Sequence, residues 1–166
     1  IHLINDNCHA IGASYNKDKR YAVKYADIVT HSYHPVKNIT TGEGGAILTN
    51  DKKIFEKVTM LRSHGITKNP AFMSFYPGPW YYEMHELGYN YRISDMQCSL
   101  GISQLKRVNK FIKRRKEIAK IYDNEFSNSE FFKVPQTKKE HDHAYHLYPL
   151  LVKFNNLRQK KRLFNN

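Results

Sequence analysis

Lys37 lies in the run Ser32-Tyr33-His34-Pro35-Val36-Lys37-Asn38-Ile39-Thr40-Thr41-Gly42-Glu43-Gly44-Gly45, between an apolar, strand-like stretch and a glycine-rich turn. A lysine amine in such a place is a candidate Schiff-base former, because a neutral amine is the nucleophile that condenses with a carbonyl. A carboxylate is also available. Asp6 follows the apolar start Ile1 to Ile4, and the carboxyl ends of strands in open α/β sheets are where ligand groups are usually presented. Composition alone favours a plainer reading, since Lys and Arg together number 27 and a lysine beside a turn is ordinarily a solvated surface group.

One chemically specific use of this pair is a Schiff base with pyridoxal 5'-phosphate, a cofactor whose ring nitrogen is commonly paired with Asp or Arg. Asp6 would keep that nitrogen protonated, so that the ring withdraws electrons. Lys37, once displaced by an incoming amine, would act as the base that moves a proton.

Four segments occur in order: Asn5-Asp6-Asn7-Cys8-His9-Ala10-Ile11-Gly12, the Lys37 run, Leu61-Arg62-Ser63-His64-Gly65-Ile66, and Leu87-Gly88-Tyr89-Asn90-Tyr91-Arg92-Ile93-Ser94-Asp95. Together they resemble the consecutive signatures of the DegT/DnrJ/EryC1/StrS aminotransferases, which act on nucleotide-linked keto-sugars, and the resemblance spans nearly the whole chain. Within that family the wording is most similar to the branch that aminates C4 of a UDP-4-keto-6-deoxy-N-acetylhexosamine on the route to pseudaminic acid. The resemblance implies an α/β, fold-type I PLP-dependent aminotransferase fold, represented by the C-terminal part of its large domain and the start of its small domain. Residues 1–105 would be a portion of the PLP-binding large domain. Residues 106–166 would be linker helices and an incomplete small C-terminal domain.

Residue by residue, the resemblance implies that Lys37 carries the cofactor and Asp6 meets its ring nitrogen. His9 would hydrogen-bond the phenolic oxygen, Ser32 would bind the phosphate, and Asn90 would reach a phosphate across a dimer interface. It also implies glutamate as amino donor, a nucleotide-sugar acceptor and a homodimer. Structural readings stay open for three of these: Ser32 could cap a turn, His9 could be a satisfied core histidine, and Asn90 could take a left-handed turn conformation. Against the family layout, a chain opening at Ile1 on the aspartate strand is expected to enter the large domain midway, with a complementary N-terminal fragment as a possible partner. A catalytically inactive structural or regulatory fragment is the alternative.

The elements that must position these groups are legible in outline. Ile1 to Asn5, Asp27 to Tyr33 and Gly45 to Thr49 read as strands, with a polar hairpin-like turn around Asn16 to Arg20, and they suggest a mostly parallel sheet. Asp51 is placed to cap a helix carrying Ile54, Val58 and Leu61, with Gly65 ending it. From Asn69 to Glu86 the chain is aromatic and irregular, with Phe72, Phe75, Tyr76, Trp80, Tyr81 and Tyr82 expected on a substrate loop partly at an interface. Ser94-Asp95-Met96-Gln97 has the form of a capping box, and apolar spacing then runs to Phe126 with a bend expected near Asn109. Tyr145 to Val152 reads as a strand, and Asn155 to Asn166 begins another helix.

Two other classes of function compete. A net charge of +12 and the cluster Lys106, Arg107, Lys110, Lys113, Arg114, Arg115 and Lys116 raise nucleic-acid binding, but the same cluster fits the solvated face of a helix, and no nucleic acid is expected. The charge would instead attract a sugar nucleotide's diphosphate. His141-Asp142-His143-Ala144-Tyr145-His146 alternates imidazoles around a carboxylate. It lacks the helical His-Glu-x-x-His pattern, so these histidines are expected at the start of a strand or facing substrate, with no metal. Cys8 and Cys98 form no disulfide framework, which fits a cytoplasmic setting. No apolar run approaches the roughly 20 residues that cross a membrane. Asn38-Ile39-Thr40 matches a glycosylation pattern and is taken as coincidence.

Overall fold

The computed structural model describes residues 1–165. Strand β1 (Ile4–Asp6) is followed by β2 (Ser14–Tyr15), a short helix α1 (Tyr21–Tyr25) and β3 (Ile28–Ser32), which returns beside β1 in parallel. Strand β4 (Gly45–Leu48) pairs with the other edge of β3, giving the order β1-β3-β4. The expected mostly parallel sheet is therefore mixed, because β3 and β4 are antiparallel. The cause is the connection: a parallel return needs a crossover, whereas the run from Tyr33 to Gly44 folds back on itself through Tyr33 N–H to Gly44 O (2.8 Å) and Thr41 N–H to Tyr33 O (3.0 Å). Val29 supplies the largest fully buried side chain among the described residues, 1% exposed, while Ile4 and Ile47 on the opposite face stay open to solvent.

Helix α2 (Lys52–Leu61) starts where expected, with Asp51 Oδ1 accepting from the amides of Lys53 (2.7 Å) and Ile54 (3.1 Å). Gly65 closes this turn at φ +68°, donating to Met60 O, and a Cβ there would fall 1.8 Å from Glu86 O. Only glycine tolerates both demands.

The aromatic stretch is more ordered than its composition suggests. Strand β5 (Ile66–Thr67) pairs antiparallel with β6 (Glu83–Met84), and Asn69 caps a single 3-10 turn at Pro70–Phe72 between them. Glu83 fixes the loop: its carboxylate accepts from the amides of Ser74 (2.9 Å) and Phe75 (3.2 Å) and lies 2.7 Å from His85 Nε2. Those bonds, the Ser74 amide foremost, pull the carboxyl down to about 2. Trp80 remains 72% exposed.

Helix α3 (Asp95–Phe126) opens on the expected capping box of Ser94 and Gln97. It is one unbroken helix of 32 residues, about 48 Å long, so the helix runs on through Asn109, where a bend is expected, without interruption. No proline interrupts the run, and its apolar spacing continues through that position. Residue 105, the expected domain boundary, lies inside α3.

The remaining chain folds back along this helix. Strand β7 (Phe132–Lys133) pairs with β9 (Leu151–Val152), while β8 (His141–Asp142) pairs with β2. The strand expected from Tyr145 to Val152 shrinks to β9, because Tyr145 takes φ +49° and Pro149 has no N–H to give a ladder. The freed segment is held by α3 instead, through Tyr148 OH donating to Asp123 Oδ1 at 2.5 Å. Burial and that carboxylate push the Tyr148 hydroxyl up to about 12. Helix α4 (Leu157–Phe164), capped by Asn156, fulfils the final expectation up to Asn165; Asn166 lies outside the described residues. Among the described residues no helix is long and apolar enough to cross a membrane.

The Glu83 clasp has a testable pH sense. Its carboxyl is lowered on folding, so the clasp is complete above about 4.5 and is lost as pH falls through about 2. Glu83→Gln should speed amide exchange at Ser74 and Phe75 at neutral pH by roughly tenfold; hydrogen exchange followed by NMR checks it.

Candidate functional site

Asp6 ends β1 and Ser32 ends β3. Because these strands are parallel, both residues emerge at the same edge of the sheet. Asp6 lies opposite Thr30, so by strand alternation Asp6, Thr30 and Ser32 share one face while Asn7 and His31 point to the other. Asp6 Oδ1 accepts from the Cys8 amide at 3.1 Å. Hydrogen bonding from Cys8 first, then the positive charges of His9 and Lys37, hold the Asp6 carboxyl below its usual range.

The Lys37 loop is shaped by its own polar groups. Ser32 Oγ accepts from His34 N–H at 3.4 Å, Lys37 N–H donates to His34 O at 3.0 Å, and Thr40 Oγ1 donates to Tyr33 O at 3.0 Å. The turn-capping role open for Ser32 is thus realised, and its hydroxyl hydrogen stays available to a ligand. Asn38 is 4% exposed and joins this loop to the one after β1, its Nδ2 donating to Ile11 O at 2.9 Å. A glycan cannot be attached at a side chain so placed. The Asn38 Oδ1 is buried without a partner.

That tie brings His9 beside the Lys37 loop. The charge of Lys37 acts on Asp6, on Cys8 and on His146, and the charge of His9 acts on Asp6 and His146. Asp6, His9 and Lys37 therefore lie within electrostatic reach of one another near the sheet edge where Ser32 also ends. His9 is exposed, not a core histidine. Asn90 stands on a different element: it bridges Ser63, its side chain is exposed, and its sequence neighbours Tyr89 and Tyr91 stack on each other with centroids 4.8 Å apart.

Several positioning residues were not legible as such. Asn7 is buried behind Asp6, accepting from Tyr21 OH at 2.9 Å and donating through Nδ2 to His31 Nε2 at 2.9 Å. This assigns the His31 proton to Nδ1. The only signal in the sequence is a polar residue, His31, on the inward side of β3 and another, Asn7, just past the end of β1. His146 came from the histidine run that suggested a metal; its ring meets His9. Among the described residues no group of three or more His, Cys, Asp or Glu is placed to hold a metal ion.

The DegT/DnrJ/EryC1/StrS aminotransferase family model matches residues 1–166. The chain is 42% identical over 166 residues to the UDP-4-amino-4,6-dideoxy-N-acetyl-beta-L-altrosamine transaminase of Campylobacter jejuni, covering 100% of this chain and 42% of that protein. Among solved structures it is similar to Helicobacter pylori PseC, an aminotransferase involved in the biosynthesis of pseudoaminic acid, with TM-score 0.84 and 32% identity over 99% of this chain and 42% of that one. The sugar aminotransferase Spr1654 of Streptococcus pneumoniae in its PLP form matches with TM-score 0.83 and 27% identity over 99% of this chain and 41% of that one. The chain thus spans about two fifths of the length of these relatives, and the shared architecture is the α/β fold-type I PLP-dependent aminotransferase fold.

Burial lowers the basicity of His31, His143 and His146. Each is kept neutral by folding, so stability is full above about 6.5 and falls as pH drops through the lowered values. Urea midpoints should be level above neutrality and decline toward pH 5, and His31→Gln should reduce that decline.

Proposed function

The chain belongs to the DegT/DnrJ/EryC1/StrS aminotransferase family, and on that premise we propose that the whole protein uses pyridoxal 5'-phosphate to move an amino group from glutamate to a nucleotide-linked keto-sugar. The finer reading is amination at C4 of a UDP-4-keto-6-deoxy-N-acetylhexosamine. It is supported by the identity to the Campylobacter transaminase and the likeness to the Helicobacter aminotransferase. Two further parts belong to the reading: a homodimer, and a division into residues 1–105 of the large domain and 106–166 of the linker and small domain, with α3 crossing between them. A cytoplasmic setting completes it.

The observation that carries the proposal is that Asp6 and Ser32 end two parallel strands at one edge of the sheet, with the loop that bears Lys37 leaving from that edge and its charge helping to hold the Asp6 carboxyl low. The donor set suits the cofactor: a carboxylate held below its normal range for a ring nitrogen, an amine for an aldehyde, and the Ser32 hydroxyl for a phosphate. When bound, the cofactor supplies an electron-withdrawing ring. Asp6 keeps a proton at the ring nitrogen by charge pairing. Lys37 would be the residue that holds the cofactor, and its amine would be the base that moves a proton. Ser32 would donate to the phosphate, His9 would hydrogen-bond the phenolic oxygen, and Asn90 would serve a phosphate of the second subunit.

Borohydride reduction in the presence of pyridoxal phosphate, followed by peptide mapping, should place the adduct on Lys37. Lys37→Ala should remove it and cut half-transamination by roughly a hundredfold or more. Asp6→Asn should keep the adduct while slowing half-transamination. An undiminished adduct in Lys37→Ala contradicts the assignment, and no adduct in the unaltered chain favours the noncatalytic alternative.

A further inference from the structure

The segment after β8 returns to the site from the far end of the chain, and His146 is its point of contact. The His146 ring lies against the His9 ring with centroids 4.2 Å apart and planes tilted by 57°. Arg115, on α3, sets the depth of this approach: its Nη1 donates to the carbonyls of both Tyr145 and His146, each at 3.2 Å. Tyr145 accommodates the turn with φ +49°, and Ala144 beside it is 1% exposed. Tyr148, bonded to Asp123, fastens the next turn of the segment to the same helix. The His146 ring therefore has a backbone fixed on either side of it and one ring to press against.

Its charge state is fixed by the same surroundings. His146 Nδ1 is buried and has no hydrogen-bond partner. The charged ring would need N–H donors on both nitrogens, one of them without an acceptor, and burying an unpaired donor is costly. His9, Lys37 and Arg115 all act on it with positive charge. His143, three residues earlier, is turned aside, its Nδ1 accepting from Tyr145 N–H at 3.0 Å.

We propose that His146 is a positioning residue: a neutral imidazole, held by Arg115, that backs the His9 ring and fixes its orientation beside Lys37. The contact makes the geometry of the β1 loop depend on a segment anchored to α3, so that movement of that segment is felt at His9. The role of His9 toward a cofactor rests on the function proposed above, whereas the contact between the two rings does not.

The test follows the His9 side chain by NMR in the 166-residue chain. In His146→Ala the His9 ring resonances should shift and its ring should gain mobility. In His146→Phe, which keeps an aromatic ring and removes both nitrogens, the His9 ring should stay ordered. Arg115→Gln should disturb His9 with the His146 ring still present, which keeps the proposal testable if His146→Ala fails to fold. In the cofactor-loaded protein, His146→Ala should alter the cofactor's absorbance band while the borohydride adduct still forms on Lys37. Unchanged His9 resonances in both His146→Ala and Arg115→Gln would overturn the proposal. An unloaded protein that shows no cofactor band at all, yet keeps the His9 response, would defeat the proposed function and leave the positioning role standing.

Discussion

Everything at the candidate site depends on the parallel register of β1 on β3, in which Asp6 faces Thr30. Parallel pairing brings the ends of both strands to one edge, and the register puts Asp6 on the face shared by Ser32. A slip of one residue would turn Asp6 to the side now occupied by Asn7 and bury a carboxylate where an amide is needed. The polar chain from Tyr21 through Asn7 to His31 guards against that slip, since its two hydrogen bonds form only when Asn7 and His31 share the buried face.

Helix α3 holds the two loops that leave those strands. Ile112 packs so closely on Gly12 that a Cβ at that position would lie 1.9 Å from its Cδ1, and Gly101 lets the helix approach Thr41. Gln97, already part of the capping box, also donates from Nε2 to Glu43 O at 2.9 Å, tying the glycine-rich turn to the start of the helix. Further along, Arg115 and Asp123 anchor the segment that carries His146. One rigid element thus supports the Asp6 loop, the Lys37 loop and the returning segment. The functional groups ride on loops whose freedom has been removed by packing and by hydrogen bonds at their bases.

The sequence made the local features readable because each is encoded by neighbours. Asp51 and Ser94 cap helices through amides two or three residues away, and the Lys37 turn is announced by its own glycines. Features that depend on distant partners were hidden. The antiparallel return of β4 is decided by bonds across the Tyr33 to Gly44 loop, not by the alternation of Gly45 to Thr49. Asn7 and His31 are joined only through the fold, where Tyr21 completes their hydrogen bonds. Only the fold shows Glu83 receiving the Ser74 and Phe75 amides. His146 was visible only as part of a histidine cluster, since its partner lies at the other end of the chain.

The central claim is that one sheet edge gathers Asp6, Ser32 and Lys37 around a single cofactor. A crystal structure of the protein with pyridoxal 5'-phosphate tests it most directly. The account predicts the cofactor on Lys37, its ring nitrogen within hydrogen-bond distance of Asp6 and its phosphate against the Ser32 hydroxyl. A cofactor seated on another lysine, or one on Lys37 with Asp6 turned away from the ring, would contradict it.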